Sequence, residues 1–76
     1  MNIIYSSSHF WILSYPEQHG FELFDKYRMR TLFLQGGFAW HFRRDMEDIP
    51  EAERNEENID ALLDGYCDAA QPIVFH

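Results

Sequence analysis

A stretch of ten residues near the middle of the chain, GGFAWHFRRD at positions 36–45, concentrates side chains that are common at binding sites. Trp40 and Arg44 are four residues apart, a spacing that allows a cation–π contact on a helix. Tryptophan and arginine are also enriched among the residues that dominate binding energy at protein interfaces. Trp40, Arg43 and Arg44 are therefore candidates for an interaction surface. The alternative is that Trp40 packs under a loop or the first strand and that both arginines pair with nearby acids.

Gly36 and Gly37 open this stretch, and glycines ahead of a helix can form a phosphate-binding loop. Such loops need further residues, either G-x-x-x-x-G-K-[ST] or G-x-G-x-x-G, and the chain has neither pattern at these positions. Glycine also adopts positive φ angles at little steric cost, which suits a tight turn. We interpret the pair as a turn from a strand into a helix, with no phosphate site.

Acidic residues dominate the second half of the chain and offer another candidate surface. Residues 45–76 contain ten acids and one base, and the whole chain has a net charge of −7. On a helix, Asp60, Asp64 and Asp68 share one face because they recur every four residues. This face is either a solvated surface or a binding surface for a cationic protein partner, with partial imitation of nucleic-acid charge as a further alternative.

The remaining reactive side chains predict neither a catalytic centre nor a metal site. The segment 6–9 places serine hydroxyls beside an imidazole, but neighbours on an extended strand point to opposite faces, so we interpret it as a turn or loop. The spacings of the soft metal ligands match no zinc motif, and the acids do not form a calcium-binding loop. We expect no cofactor, no bound metal and no enzymatic activity. The soft ligands are His9, His19, His41, His76 and Cys67.

The composition predicts one small cytoplasmic domain that covers residues 1–76. A chain of 76 residues is close to the lower limit for a single hydrophobic core, and its aromatic content of 17% helps to fill that core. The single cysteine excludes an internal disulfide framework. We expect no membrane association, because the chain has no signal-peptide pattern and no apolar run of about 18 residues. The negative net charge argues against general nucleic-acid binding.

Hydrophobic periodicity predicts the elements that must position these residues. The order β-β-β-β-α-α-β indicates an α+β fold, in which a small, mainly antiparallel sheet carries both helices on one face. We expect the final strand to return to the sheet beside the first one. The predicted strands are 2–5, 10–15, 21–24, 31–34 and 73–75, and the predicted helices are 38–48 and 55–69. The expected core stripes are Phe38, Phe42, Met46 and Ile49 on the first helix, and Ile59, Leu62, Leu63, Tyr66 and Ala70 on the second.

Four segments of the chain resemble a known family. They are MNIIYSS, GFELFDK, FLQGGFAWHFR and the closing QPIVFH, and they occur in the same order in that family. The family comprises short betaproteobacterial proteins that are classed as a domain of unknown function. The resemblance implies an α+β fold and a bacterial cytosolic setting. It implies no activity, cofactor or catalytic residue.

These observations favour a protein–protein interaction or adaptor module without catalytic activity. Its partner is an unidentified protein, and pairing through a sheet edge would give a homodimer. The alternative is a regulator related to nucleic acids, acting through a local basic patch or as an acidic mimic. The residues of that basic patch are Lys26, Arg28, Arg30, Arg43 and Arg44.

Overall fold

The computed structural model describes residues 2–70, which form four strands followed by two helices. Short 3-10 turns at Pro16–Gln18 and Glu51–Glu53 lie in two of the connections. Among these residues, no helix is both long and apolar enough to cross a membrane. The elements are β1 (Asn2–Ser6), β2 (Phe10–Tyr15), β3 (Gly20–Asp25), β4 (Arg30–Gln35), α1 (Gly37–Asp48) and α2 (Glu56–Ala70).

The strands form one antiparallel sheet in the order β1-β2-β3-β4, so that each strand pairs with its neighbour in the chain. Ile12 lies opposite Leu23, and Leu23 lies opposite Leu32. Because side chains alternate along a strand, these residues point to the same face of the sheet. That face is buried, and we call it the inner face. Its buried apolar residues are Phe10, Ile12, Phe21, Leu23, Leu32 and Leu34.

Both helices contribute to the core that forms on the inner face. The ring of Phe42 in α1 lies 5.3 Å from that of Phe21 and 5.2 Å from that of Tyr66 in α2. This contact joins the two helices and the sheet at one point. The helical residues buried in the core are Ala39, Phe42, Ile59, Leu63 and Cys67.

The predicted α+β class is confirmed, but the predicted order β-β-β-β-α-α-β is wrong. The structure has the order β-β-β-β-α-α, with a four-stranded sheet over residues 2–70. The expected last strand, at 73–75, lies outside the described residues and is not shown.

The start of α1 also differs from the prediction. Phe38 was expected in the core but is 74% exposed, whereas Ala39 is buried. The residues of α1 that face the sheet are Ala39 and Phe42, with Met46 partly buried beside them. The small side chain of Ala39 lets the first turn of the helix approach the sheet closely. Phe38 therefore lies to the side of the contact.

The two ends of the interhelical connection are held by side chains. Arg54 donates to the carbonyl oxygens of Ile49, at 2.8 Å, and Glu47, at 3.0 Å, near the C-terminal end of α1. Asn55 Oδ1 accepts the amide of Asn58 at 2.9 Å, which caps the N-terminus of α2. The connection thereby fixes where α2 starts on the sheet.

Candidate functional site

Ser7, in the connection between β1 and β2, is a buried polar residue. Its Oγ accepts the amides of His9 and Phe10, at 3.1 and 2.9 Å, so the hydroxyl shapes the turn into β2. The same Oγ lies 3.0 and 3.1 Å from the two carboxylate oxygens of Asp60. Tyr5 donates to that carboxylate at 2.8 Å. Asp60 therefore links α2 to β1 and to the connection between β1 and β2.

Asp25 ends β3 on the inner face and is only 1% exposed. Its Oδ1 accepts the backbone amides of Tyr27 and Arg28, at 3.0 and 3.1 Å, and so caps the turn between β3 and β4. His9 Nε2 lies 3.1 Å from the same oxygen. The other oxygen, Oδ2, has no hydrogen-bond partner within the described part of the chain. Arg28 Nε approaches it only to 3.8 Å.

Asp64 of α2 completes a cluster with these two residues. Its Oδ1 is buried and likewise lacks a hydrogen-bond partner among residues 2–70. His9, Asp25 and Asp64 each offer one potential metal-ligand atom, and the three atoms lie within 4.8 Å of one another. We call this group the polar cluster. An imidazole and two carboxylates at this separation can hold a cation.

The surroundings of the polar cluster are negatively charged and orient its histidine. The imidazole of His9 stacks between the rings of Phe10 and Tyr27, with centroid distances of 3.9 and 4.1 Å. Burial, followed by the charges of Asp25, Asp64 and Asp68, raises the pKa of Cys67 to about 11. The Cys67 thiol therefore stays protonated at neutral pH.

The three aspartates predicted as an interaction surface on α2 do not share a solvated face. Asp60 and Asp64 are half-buried against the sheet. Asp68 is exposed and accepts a bond of 2.7 Å from Arg28, and this bond is the main cause that raises the pKa of Arg28. Asp60 hydrogen-bonds Tyr5 and Ser7 and so joins α2 to the sheet. The interaction role of the three aspartates stays a prediction.

The structure brings Trp40, Arg43 and Arg44 together on α1. Trp40 is 61% exposed, and the guanidinium carbon of Arg44 lies 5.4 Å from the centroid of its ring. Arg43 lies over Phe21 instead, at 5.7 Å. These three residues line a shallow, open groove of about 280 Å³ together with Glu47 and Asp48. The alternative in which Trp40 packs under a loop or strand is thereby excluded, and the binding role of this α1 flank stays a prediction.

The second face of the sheet, which we call the outer face, is also apolar. Trp11 contacts Phe24 at 5.3 Å between ring centroids, and Tyr15 contacts Phe33 at 5.7 Å. Gly20 makes room for this layer, because a Cβ at that position would lie 2.8 Å from the Phe33 ring. The large side chains placed on this face by the strand register are Ile3, Trp11, Leu13, Tyr15, Phe24 and Phe33.

Sequence reasoning missed both the polar cluster and the outer face. Strand alternation offers a signal for Asp25, because it places this acid on the same face as Phe21 and Leu23. An acid at an inward position requires a partner. His9 and Asp64 lie near Asp25 only because of the strand register and the position of α2 on the sheet. A local sequence pattern encodes neither the register nor that position.

A four-stranded antiparallel sheet with two helices on its inner face defines the class as a small two-layer α+β protein. Its full length, residues 1–76, matches the family described as "Protein of unknown function (DUF3567)", and the chain belongs to that family. It is 30% identical over 86 residues to Protein BTH_I0359 of Burkholderia thailandensis, with 100% of each chain covered. No solved structure matches the chain. The resemblance to a domain of unknown function is thus confirmed at the level of the family.

Proposed function

We propose that this protein is a non-catalytic interaction module of the bacterial cytoplasm that assembles as a homodimer through the outer face of its sheet. The observation that carries the proposal is the apolar character of that face. An antiparallel sheet with one face on the core commonly presents polar side chains on the other. Here Ile3 and Phe33 are 58% and 43% exposed, and the rings of Trp11, Tyr15 and Phe24 lie beside them.

Exposed apolar patches of this kind mark interaction surfaces in proteins. Two polar groups of the face are already engaged within the chain. Glu22 accepts a bond of 2.7 Å from Tyr15, and Lys26 Nζ lies 4.5 Å from the centroid of the Trp11 ring. Docking of an apolar surface therefore leaves these groups paired.

A second copy of the chain is the occupant that we propose for this face. Two sheets can pack face to face about 10 Å apart, with a two-fold axis relating identical surfaces. Four strands at a spacing of about 4.8 Å, with five to six residues each, give a flat footprint of roughly 350 Å² per copy. This footprint belongs to the small interface class, below about 1,200 Å² in total. We therefore expect a reversible dimer with a dissociation constant on the order of micromolar.

Single-stranded nucleic acid is the competing occupant, since bases also stack on aromatic side chains of sheets. Such binding needs a positively charged groove that follows the phosphate backbone. The net charge of the chain is −7, and the strand positions of the outer face are apolar, acidic or uncharged apart from Lys26 at the rim. The charge balance therefore favours a protein surface.

Sedimentation equilibrium of the full chain tests the proposal at concentrations from about 1 to 200 μM, spanning the expected micromolar dissociation constant. We expect the wild type to dimerise, and Trp11→Glu on β2 and Phe33→Glu on β4 to be monomeric. Phe38→Glu is the matched control, because it places the same charge on an exposed aromatic of α1 and should dimerise normally. Circular dichroism checks that each variant is folded.

A monomeric wild type, or a dimer that survives both outer-face substitutions, would overturn the proposal. A dimer lost in Trp40→Ala and kept in Trp11→Glu would assign the interface to α1. Salt-sensitive binding of a single-stranded oligonucleotide by a monomeric wild type would favour the nucleic-acid alternative instead.

A further inference from the structure

We propose that His9, Asp25 and Asp64 bind one divalent transition-metal ion, with Zn²⁺ preferred, and that this ion fastens α2 to the sheet. The three residues come from three parts of the fold. His9 immediately precedes β2, Asp25 ends β3, and Asp64 lies in the middle of α2. A shared ligand would therefore connect elements that are far apart in the chain. The proposal is independent of the proposed dimer.

The unpaired carboxylate oxygens provide the main argument. Asp25 is 1% exposed, yet its Oδ2 has no hydrogen-bond partner among the described residues, and the same holds for the buried Oδ1 of Asp64. A buried polar atom without a partner destabilises the folded state, and more so when it is charged. Two such oxygens in one cluster call for a positively charged group between them. A bound cation would satisfy both at once.

Arg28, which lies beside the cluster, does not hydrogen-bond the free oxygen of Asp25. Arg28 Nε is 3.8 Å from Asp25 Oδ2, which is beyond hydrogen-bond range. Its Nη1 instead bonds Asp68 at 2.7 Å, at the exposed end of the same helix. Arg28 therefore lies within ion-pair distance of Asp25 Oδ2 but donates no hydrogen bond to it.

The ligand atoms are close to the separation that a metal requires. They lie within 4.8 Å of one another, and His9 Nε2 is already 3.1 Å from Asp25 Oδ1. Ligands bound to Zn²⁺ at about 2.0–2.2 Å are roughly 3.4 Å apart in tetrahedral geometry. Side-chain rotation that brings the ligand atoms up to about 1.4 Å closer together would reach that tetrahedral spacing.

The ligand chemistry selects the class of ion. Imidazole nitrogen suits Zn²⁺ and neighbouring transition metals, whereas Ca²⁺ takes six to eight oxygens and Mg²⁺ keeps several waters in an octahedral shell. The second shell is already built, since stacking on Tyr27 orients His9, and two backbone amides orient Asp25.

Isothermal titration of the full chain with ZnCl₂ in a non-chelating buffer tests the site. We expect one Zn²⁺ per chain, and we expect Asp64→Asn and His9→Gln each to weaken binding by about tenfold or more. His41→Gln is the matched control. His41 is exposed and lies 3.4 Å from Asp45, so it also forms a histidine–aspartate pair but belongs to no cluster of three ligands in the described chain. Asp25 is left intact because it also caps a turn.

Two further readouts separate this site from adventitious binding. Imidazole nitrogen NMR should show Zn²⁺ shifting the His9 resonances and leaving those of His41 in place. The thermal midpoint should rise with Zn²⁺ in the wild type and in His41→Gln, because the ion binds only the folded state. At the same Zn²⁺ concentration it should rise by less in Asp64→Asn. The proposal is wrong if Zn²⁺ gives no saturable binding, if both cluster variants keep wild-type affinity, or if Mg²⁺ binds more tightly than Zn²⁺.

Discussion

The hydroxyl of Tyr5 in β1 donates a hydrogen bond of 2.8 Å to the carboxylate of Asp60 in α2, across 55 positions of the chain. The Ser7 hydroxyl lies 3.0 Å from the same carboxylate. One acid on the last helix therefore satisfies two polar groups of the first part of the sheet. This relationship makes Asp60 a structural residue.

Substitution Asp60→Ala should lower the free energy of unfolding by about 1–3 kcal/mol, because it leaves the hydroxyls of Tyr5 and Ser7 without their acceptor. Urea denaturation followed by circular dichroism measures the change. Glu51→Ala provides the control, since it removes an exposed acid from the interhelical connection and should change stability by less than about 0.5 kcal/mol. Equal effects of the two substitutions would contradict the role of Asp60.

Tyr5 should also make stability depend on alkaline pH. Burial, followed by the bond to Asp60, raises the pKa of Tyr5 from 10.0 to about 12. A raised pKa in the folded state means that its contribution is fully present below pH 10 and is lost as the pH rises toward 12. The stability difference between wild type and Tyr5→Phe should therefore shrink over this interval. Urea midpoints at pH 8 to 12 measure it, and parallel pH profiles would refute the prediction.

Substitutions of Trp40 and Phe42, two aromatic residues of α1, should differ strongly in their effect on stability. Trp40→Ala should change the free energy of unfolding by less than about 1 kcal/mol, since its ring is exposed and its contact with Arg44 is worth roughly 0.5–1 kcal/mol. Phe42→Ala should cost about 3–5 kcal/mol, because this ring is buried. Chemical denaturation measures both. A large loss in Trp40→Ala would assign Trp40 to the fold and remove it as an interaction candidate.

Two glycines should respond in opposite directions to alanine. Gly65 lies within α2, and no heavy atom of the described residues beyond its local helix would contact a Cβ there within 4 Å. Gly65→Ala should therefore raise stability by about 0.5–1 kcal/mol. Gly36 has a φ of 66°, a conformation that alanine adopts poorly, so Gly36→Ala should lower stability. Thermal midpoints of the two variants measure these changes. Midpoints that shift in the same direction for both variants would contradict the prediction.

Periodicity located the elements well because each one is strongly patterned. The strand at 10–15 and the helix end at Asp48 agree with the structure, and the turn at Gly36 has the expected positive φ. The predicted strand at 73–75 rested on only three residues, and it lies outside the described residues. Phe38 was misplaced because a count of 100° per residue does not reveal which side of a first turn the sheet approaches.

The candidate site was predictable only in part. Exposure of Trp40 and its contact with Arg44 follow from helical spacing alone. The inward positions of Asp60 and Asp64 do not, because a helical wheel assigns acids to solvent unless the partners are known. Those partners, among them Ser7 and His9, reach α2 only through tertiary packing.

The chain order of the strands has a consequence for how the protein folds. The sheet lies entirely within residues 2–35 and pairs only adjacent strands, so its contacts close short loops. Hairpins form within about 1–10 μs, whereas contacts that span longer loops pay more entropy and tend to follow. The Tyr5–Asp60 contact must wait for α2. During synthesis on the ribosome, the aromatic outer face is thus expected to be complete before α2 emerges, and two nascent chains could meet through it before either has finished folding.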